Sequence, residues 1–150
     1  MYVALEFDHA LFKPQLKWIV VRCVAVSRMC GGPIALAPRT DVAYFVSEDT
    51  AQADAEAFAV IKNRQVEGRL SDEERALAEA AQRGKLPARH HAYPWDHQLM
   101  ADLPLRWGVL QWSGNEHVSM PRTDIAYFTD PQSAEGDSKL FALMRDRRVA

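Results

Sequence analysis

The chain is most easily bounded by what it has little of. Its 150 residues carry a net charge of only −2, with 18 basic and 20 acidic side chains. The balance is also even along the sequence: residues 16–66 hold six basic and five acidic groups, and residues 105–149 hold six of each. Neither a polybasic nucleic-acid binder driven by counterion release nor a densely acidic DNA mimic fits that spread. Cysteine is scarce. Cys23 and Cys30 have no second pair to complete a zinc knuckle and do not form a redox motif, so two reduced thiols are expected.

Long apolar runs are missing, so no membrane span is expected. Met1 to Gln15 lacks the basic start and apolar stretch of a signal peptide, which makes the cytoplasm the expected compartment. No glycine-rich phosphate loop, nucleophile elbow or His-Glu-x-x-His pair occurs. The expectation is therefore a protein that is not an enzyme and needs no cofactor or metal.

What the chain does have is a repeat. Residues 38–45 read Pro-Arg-Thr-Asp-Val-Ala-Tyr-Phe, and residues 121–128 read Pro-Arg-Thr-Asp-Ile-Ala-Tyr-Phe. The match runs on without a gap through Ala51/Ala134, Asp54/Asp137, Phe58/Phe141, Ala59/Ala142, Arg64/Arg147 and Val66/Val149. Upstream, Leu16–Val21 resembles Leu105–Leu110 once a difference in loop length is allowed. Self-similarity of this kind bears on the whole fold before any single residue does. One copy of some 45–50 residues would bury too little apolar surface to be comfortable alone. The sequence thus predicts one compact domain over 1–150, with repeats 16–66 and 105–149 joined by a linker over 67–104.

Within each copy the pattern predicts three strands and a helix. Trp18–Val26, Pro33–Ala37 and Val42–Val46 read as strands in the first. Trp107–Trp112, His117–Met120 and Ile125–Phe128 read as strands in the second. Ser47 and Asp130 are placed to cap the following helices, with Pro131 in the first helical position. Phe58, Ile61, Phe141 and Met144 are expected to dock those helices on the sheet. Arg145, Arg147 and Arg148 fall in a last turn, where cations complement the helix dipole.

Ser71-Asp72-Glu73-Glu74 is a capping box that opens a linker helix ending near Gly84, and Lys85–Pro104 reads as a loop-like connector. The fold class is α+β: two pseudo-symmetric βββα repeats, antiparallel sheet with helices on one face, and a linker helix. Three strands followed by the small-residue helix Thr50–Phe58 resemble a plant class of DNA-binding domain and the arm-binding domains of some phage integrases. That resemblance implies nucleic-acid binding through paired modules as an alternative function.

Two constellations suggest chemistry. His90, His91, Asp96 and His97 could supply nitrogen and oxygen ligands for zinc, although adjacent histidines diverge in regular structure. Asp41 and Asp124 follow equivalent turns and could meet as a carboxylate pair, giving a metal-dependent hydrolase as a further alternative. Arg39 and Arg122, two residues away, offer plain ion pairing instead.

The leading expectation is binding. Simple alternation puts Thr40 and Tyr44, with Thr123 and Tyr127, on one strand face. Arg39, Asp41, Ala43 and Phe45, with Arg122 and Asp124, take the other. If Phe45 and Phe128 enter the core, the tyrosines line an outer surface, and tyrosine and arginine commonly anchor interfaces. The rival is that both tyrosines lie under a neighbouring element. On the first reading, losing both would abolish partner binding without affecting the melting temperature.

The expected protein is a small interaction protein, a regulator or inhibitor in the manner of anti-restriction and anti-CRISPR proteins. Its partner would be a protein or nucleoprotein, and a homodimer through exposed strand edges is also foreseen. An excess of arginine over lysine and abundant alanine suit a bacterial or phage genome.

Overall fold

The computed structural model describes residues 1–9, 16–23, 26–29, 32–35, 39–47, 49–84, 90–94, 98–100, 103–104, 107–112 and 122–149. It is α+β, and the chain divides into two compact units, Met1–Leu70 and Ser71–Ala150.

The first unit runs β1 (Tyr2–His9), β2 (Leu16–Cys23), β3 (Val26–Met29), β4 (Gly32–Ala35), β5 (Arg39–Phe45) and α1 (Ala51–Glu67). β1, β2 and β5 pair antiparallel in that order, while β3 and β4 form a separate two-stranded ribbon. α1 packs on β1, β2 and β5. Phe58 of α1 meets Phe45 of β5 with ring centroids 6.0 Å apart, so the predicted docking of this helix holds.

The second unit runs α2 (Asp72–Gln82), β6 (His90–Pro94), β7 (Gln98–Met100), β8 (Leu103–Pro104), β9 (Trp107–Trp112), β10 (Arg122–Phe128) and α3 (Ala134–Val149). β6, β9 and β10 pair antiparallel in that order, and α3 packs on all three. Phe141 meets Phe128 at 5.9 Å, the counterpart of the Phe45–Phe58 contact. α2 packs on α3, opened by the expected capping box: Ser71 N–H donates to Glu74 Oε1 at 2.9 Å, and Glu74 N–H donates to Ser71 Oγ at 3.1 Å.

The three strands of each unit are not the three expected. Pro33–Ala37 falls largely in β4, whose only partner among the described residues is β3. The third strand of the main ladder comes from the N-terminal stretch, which reads as no element from the repeat alone. Likewise, β6 comes from the connector expected to be a loop. β6 is short, polar and ends in Pro94, so it lacks the alternation that signals a strand; an outer position in the ladder tolerates such a composition. His117–Met120 lies outside the described residues.

The caps also differ in detail. Thr50, not Ser47, is the N-cap of α1, and Ser47 contributes its carbonyl to Ala51 N–H at 2.9 Å. In the second unit Asp130 does accept from a backbone amide, Gln132 N–H at 3.2 Å, and its carbonyl accepts from Ala134 N–H at 2.9 Å, but a turn that contains Pro131 precedes the helix.

Residue by residue, β5 lies on β2 as β10 lies on β9. Trp18 faces Phe45 and Trp107 faces Phe128; Ile19 faces Tyr44 and Gly108 faces Tyr127; Val20 faces Ala43 and Val109 faces Ala126. Both ladders then skip a residue, Val42 in one and Ile125 in the other, before Asp41 meets Val21 and Asp124 meets Leu110. Each unit therefore carries a β-bulge at the same place in its repeated block.

Candidate functional site

The bulge rearranges the repeated block. Asp41 and Tyr44 are three residues apart, so strict alternation would send them to opposite faces. The extra residue at Val42 resets the count, and Asp41 shares a face with Tyr44 while Thr40 moves to the other. The Tyr44 hydroxyl donates to Asp41 Oδ2 at 2.7 Å. The expected face assignment thus fails for Asp41 and Thr40, because the alternation rule assumes an unbroken pleat.

The tyrosines are not surface residues. Tyr44 and Tyr127 are each 1 % exposed, and their neighbours Val42, Ala43, Phe45, Ile125, Ala126 and Phe128 are buried as well. β5 and β10 are therefore covered on both faces over this stretch, as the rival reading held. Thr40 is exposed and Asp41 half-buried. The side chains of Arg39, Arg122, Thr123 and Asp124 lie outside the described residues, and so does any meeting of Asp41 with Asp124.

A second constellation joins the start of the outer strand to the end of the helix. In the first unit Tyr2 N–H donates to Asn63 Oδ1 at 2.6 Å, and Asn63 Nδ2 donates back to the Tyr2 carbonyl at 2.8 Å. Lys62, buried, places its ammonium 5.2 Å from the Tyr2 ring centroid. The second unit puts His90 where the first has Tyr2, and Arg145 and Asp146 where it has Lys62 and Asn63. His90 N–H donates to Asp146 Oδ1 at 2.8 Å, and His90 Nδ1 lies 2.8 Å from the same oxygen.

His90 is fully buried and Arg145 nearly so. Of the four residues considered for zinc, His90 is thus committed to Asp146, while Asp96, His97 and the His91 side chain lie outside the described residues. Among the described residues no group of three or more His, Cys, Asp or Glu could hold a metal ion.

A third pair of contacts opens the helices. Thr50 Oγ1 donates to Asp54 Oδ2 at 3.0 Å, and Ser133 Oγ donates to Asp137 Oδ2 at 2.9 Å; both aspartates are buried. The identity of Asp54 and Asp137 was visible in the repeat, and their hydrogen bonds give it a structural reason. Cys23 is buried.

The two helices differ on the side turned away from their strands. Leu143 lies on α3 opposite the strand-facing Phe141, yet it is only 5 % exposed, and α2 packs on this helix. Glu73 in the first turn of α2 pairs with Arg147 near the end of α3. The matching residue on α1 is Val60, which is 45 % exposed. Ala53, Glu56 and Arg64, on the same stripe, are exposed and Ala57 is half-buried.

No family model matches the chain, and no curated protein or solved structure matches it. Among the described residues, no helix is long and apolar enough to cross a membrane.

Proposed function

We propose that this chain is a non-enzymatic interaction protein, a duplicated strand–strand–strand–helix unit that acts as a small cytoplasmic regulator or inhibitor and binds a protein or nucleoprotein partner. Duplication is supported by the equal registers, the paired bulges at Val42 and Ile125, and the matching contacts of Tyr2 with Asn63 and His90 with Asp146. It extends the sequence repeat upstream to β1 and β6.

The observation that carries the functional reading is the uncovered outer side of α1. Val60 is a large apolar residue exposed at a position where the other unit buries a leucine. Two of the ionisable side chains that first suggested chemistry are engaged in internal contacts: Asp41 with Tyr44, and His90 with Asp146. The two buried tyrosines of the repeated block therefore do not supply a binding surface, and α1 offers one beside it.

The test places a photo-crosslinking residue at Val60 in the full chain and irradiates it in a bacterial lysate, with and without nuclease. A single crosslinked protein that persists after nuclease supports the reading. Absence of any crosslink from position 60 would overturn it, and a crosslink that disappears with nuclease would put nucleic-acid binding in its place.

A further inference from the structure

The geometry points to a pH-sensitive clasp in the second unit: we propose that acid loosens the start of β6 from the end of α3, while β1 stays fastened to α1. This goes beyond the interaction-protein reading and does not depend on it.

Each unit fastens its outer strand to its helix through the first residue of that strand, and the two fasteners differ in kind. In the first unit the bonds run both ways between the Tyr2 backbone and the Asn63 side-chain amide, at 2.6 and 2.8 Å. Neither an amide side chain nor a peptide group is an acid or base in the ordinary pH range. In the second unit His90 holds the place of Tyr2 and Asp146 that of Asn63. The His90 N–H and the ring nitrogen Nδ1 both lie 2.8 Å from a single oxygen, Asp146 Oδ1. An ionised carboxylate only accepts, so Nδ1 carries a proton and both contacts are donations.

Two donors therefore depend on one charge. A protonated carboxyl is a much weaker acceptor, so proton uptake by Asp146 weakens both bonds at once. The released carboxyl binds its proton with no such loss. Proton uptake thus favours release, and the effect deepens as pH falls. A charged His90 ring strengthens the clasp only while Asp146 stays ionised. Once Asp146 is neutral, the same charge opposes the clasp, because the His90 side chain is fully buried.

The described groups around this point do not replace the carboxylate. Arg145, the next residue of α3 and itself nearly buried, is a cation. Arg147 pairs with Glu73 of α2, and the residue opposite His90 on β9 is the neutral Gln111. The Asp146 side chain keeps 15 % of its surface exposed, so a proton reaches it without unfolding of the unit. Among the described residues β6 pairs with β9 alone, so loosening it bares part of the β9 edge.

The experiment follows hydrogen exchange in the full isotope-labelled chain by NMR from about pH 7 to about pH 3, a range that brackets ordinary histidine and aspartate titration. Protection is corrected for intrinsic exchange, and the His90 and Tyr2 amides are the matched reporters. The expected result is a loss of about tenfold at His90 relative to Tyr2. His90→Tyr with Asp146→Asn installs the first unit's fastener and should bring the two pH profiles together. Should that variant fail to fold, the parent decides alone: the loss has to track the titration of the Asp146 carboxyl carbon. Equal losses at both amides, no loss at His90, or a loss at another pH than the Asp146 titration overturns the proposal.

Discussion

Tyr44 and Asp41, three residues apart on one strand, are hydrogen-bonded to each other at 2.7 Å because the residue bulged between them restores a common face. The contact gives the first copy of the repeated block a reason within the fold. Its tyrosine is a buried ring whose hydroxyl finds its acceptor on the same strand, so Asp, a bulge residue, a small residue and Tyr are needed in that order.

Removing the hydroxyl alone tests this bond. Tyr44→Phe keeps the packing and leaves Asp41, which is half-buried, without this donor. A loss of about 1 kcal/mol is expected, or about 2–4 °C in melting temperature for a chain of this size. Removing both rings is far more damaging. Tyr44→Ala with Tyr127→Ala deletes two fully buried aromatics at about 3–5 kcal/mol each. That approaches the whole stability of an ordinary domain, so the double variant is expected to show no cooperative unfolding in calorimetry. A double variant that melts like the parent would return the tyrosines to the surface.

The Gly108 position carries the opposite kind of sensitivity. A methyl group added there would lie 2.7 Å from Tyr93 Cζ and 2.8 Å from Oη, because the Tyr93 ring lies across it. The cross-strand pair at this level in the first unit is Leu5 with Ile19. Gly108→Ala is expected to destabilise by about 1–3 kcal/mol, as overpacking does. Gly108→Ile with Tyr93→Leu, which reproduces the other unit's solution, should recover most of that loss in a double-mutant cycle from chemical denaturation.

The carboxylate of Asp146 serves both the backbone and the ring of His90. Asp146→Ala strips both contacts from a fully buried histidine and is expected to cost about 2–3 kcal/mol. Asp146→Asn keeps an oxygen acceptor for the His90 amide, as Asn63 provides for Tyr2, and should cost clearly less. Equal losses in urea unfolding would mean that the backbone bond is not the dominant contact.

Matched truncations of the two helices report what covers each. Leu143→Ala is expected to cost about 2–4 kcal/mol, whereas Val60→Ala should change stability by less than about 0.5 kcal/mol. A large effect at Val60 would show that its surroundings in the folded chain are denser than its exposure indicates.

The sequence disclosed the elements that carry a strong local signal. The helices of both copies follow from the spacing of Phe58, Ile61, Phe141 and Met144, and α2 follows from the Ser71–Glu74 box. The outer strands were not legible for different reasons. β1 has no counterpart in the aligned stretch of the repeat, and β6 is held by register with β9 more than by its own composition. The face of Asp41 was misread because a bulge leaves no mark in a pattern of alternating residues. The exposed side of α1 was missed as well: Val60 and Leu143 align as one more apolar pair, and only their burial in the folded chain tells the two apart.

The near-identity of β5 and β10 carries a kinetic cost. Each of these strands holds its neighbour in the same register, around the same bulge, through nearly the same side chains. During refolding, either strand can therefore meet the other's neighbour in a matching register, and the attached helix and the differing partners, Gly108 for Ile19, Leu110 for Val21, Gln111 for Arg22 and Trp112 for Cys23, report the error. Such a chain is prone to partition between the native pairing and an exchanged one, with slow escape from the second and association between chains at high concentration.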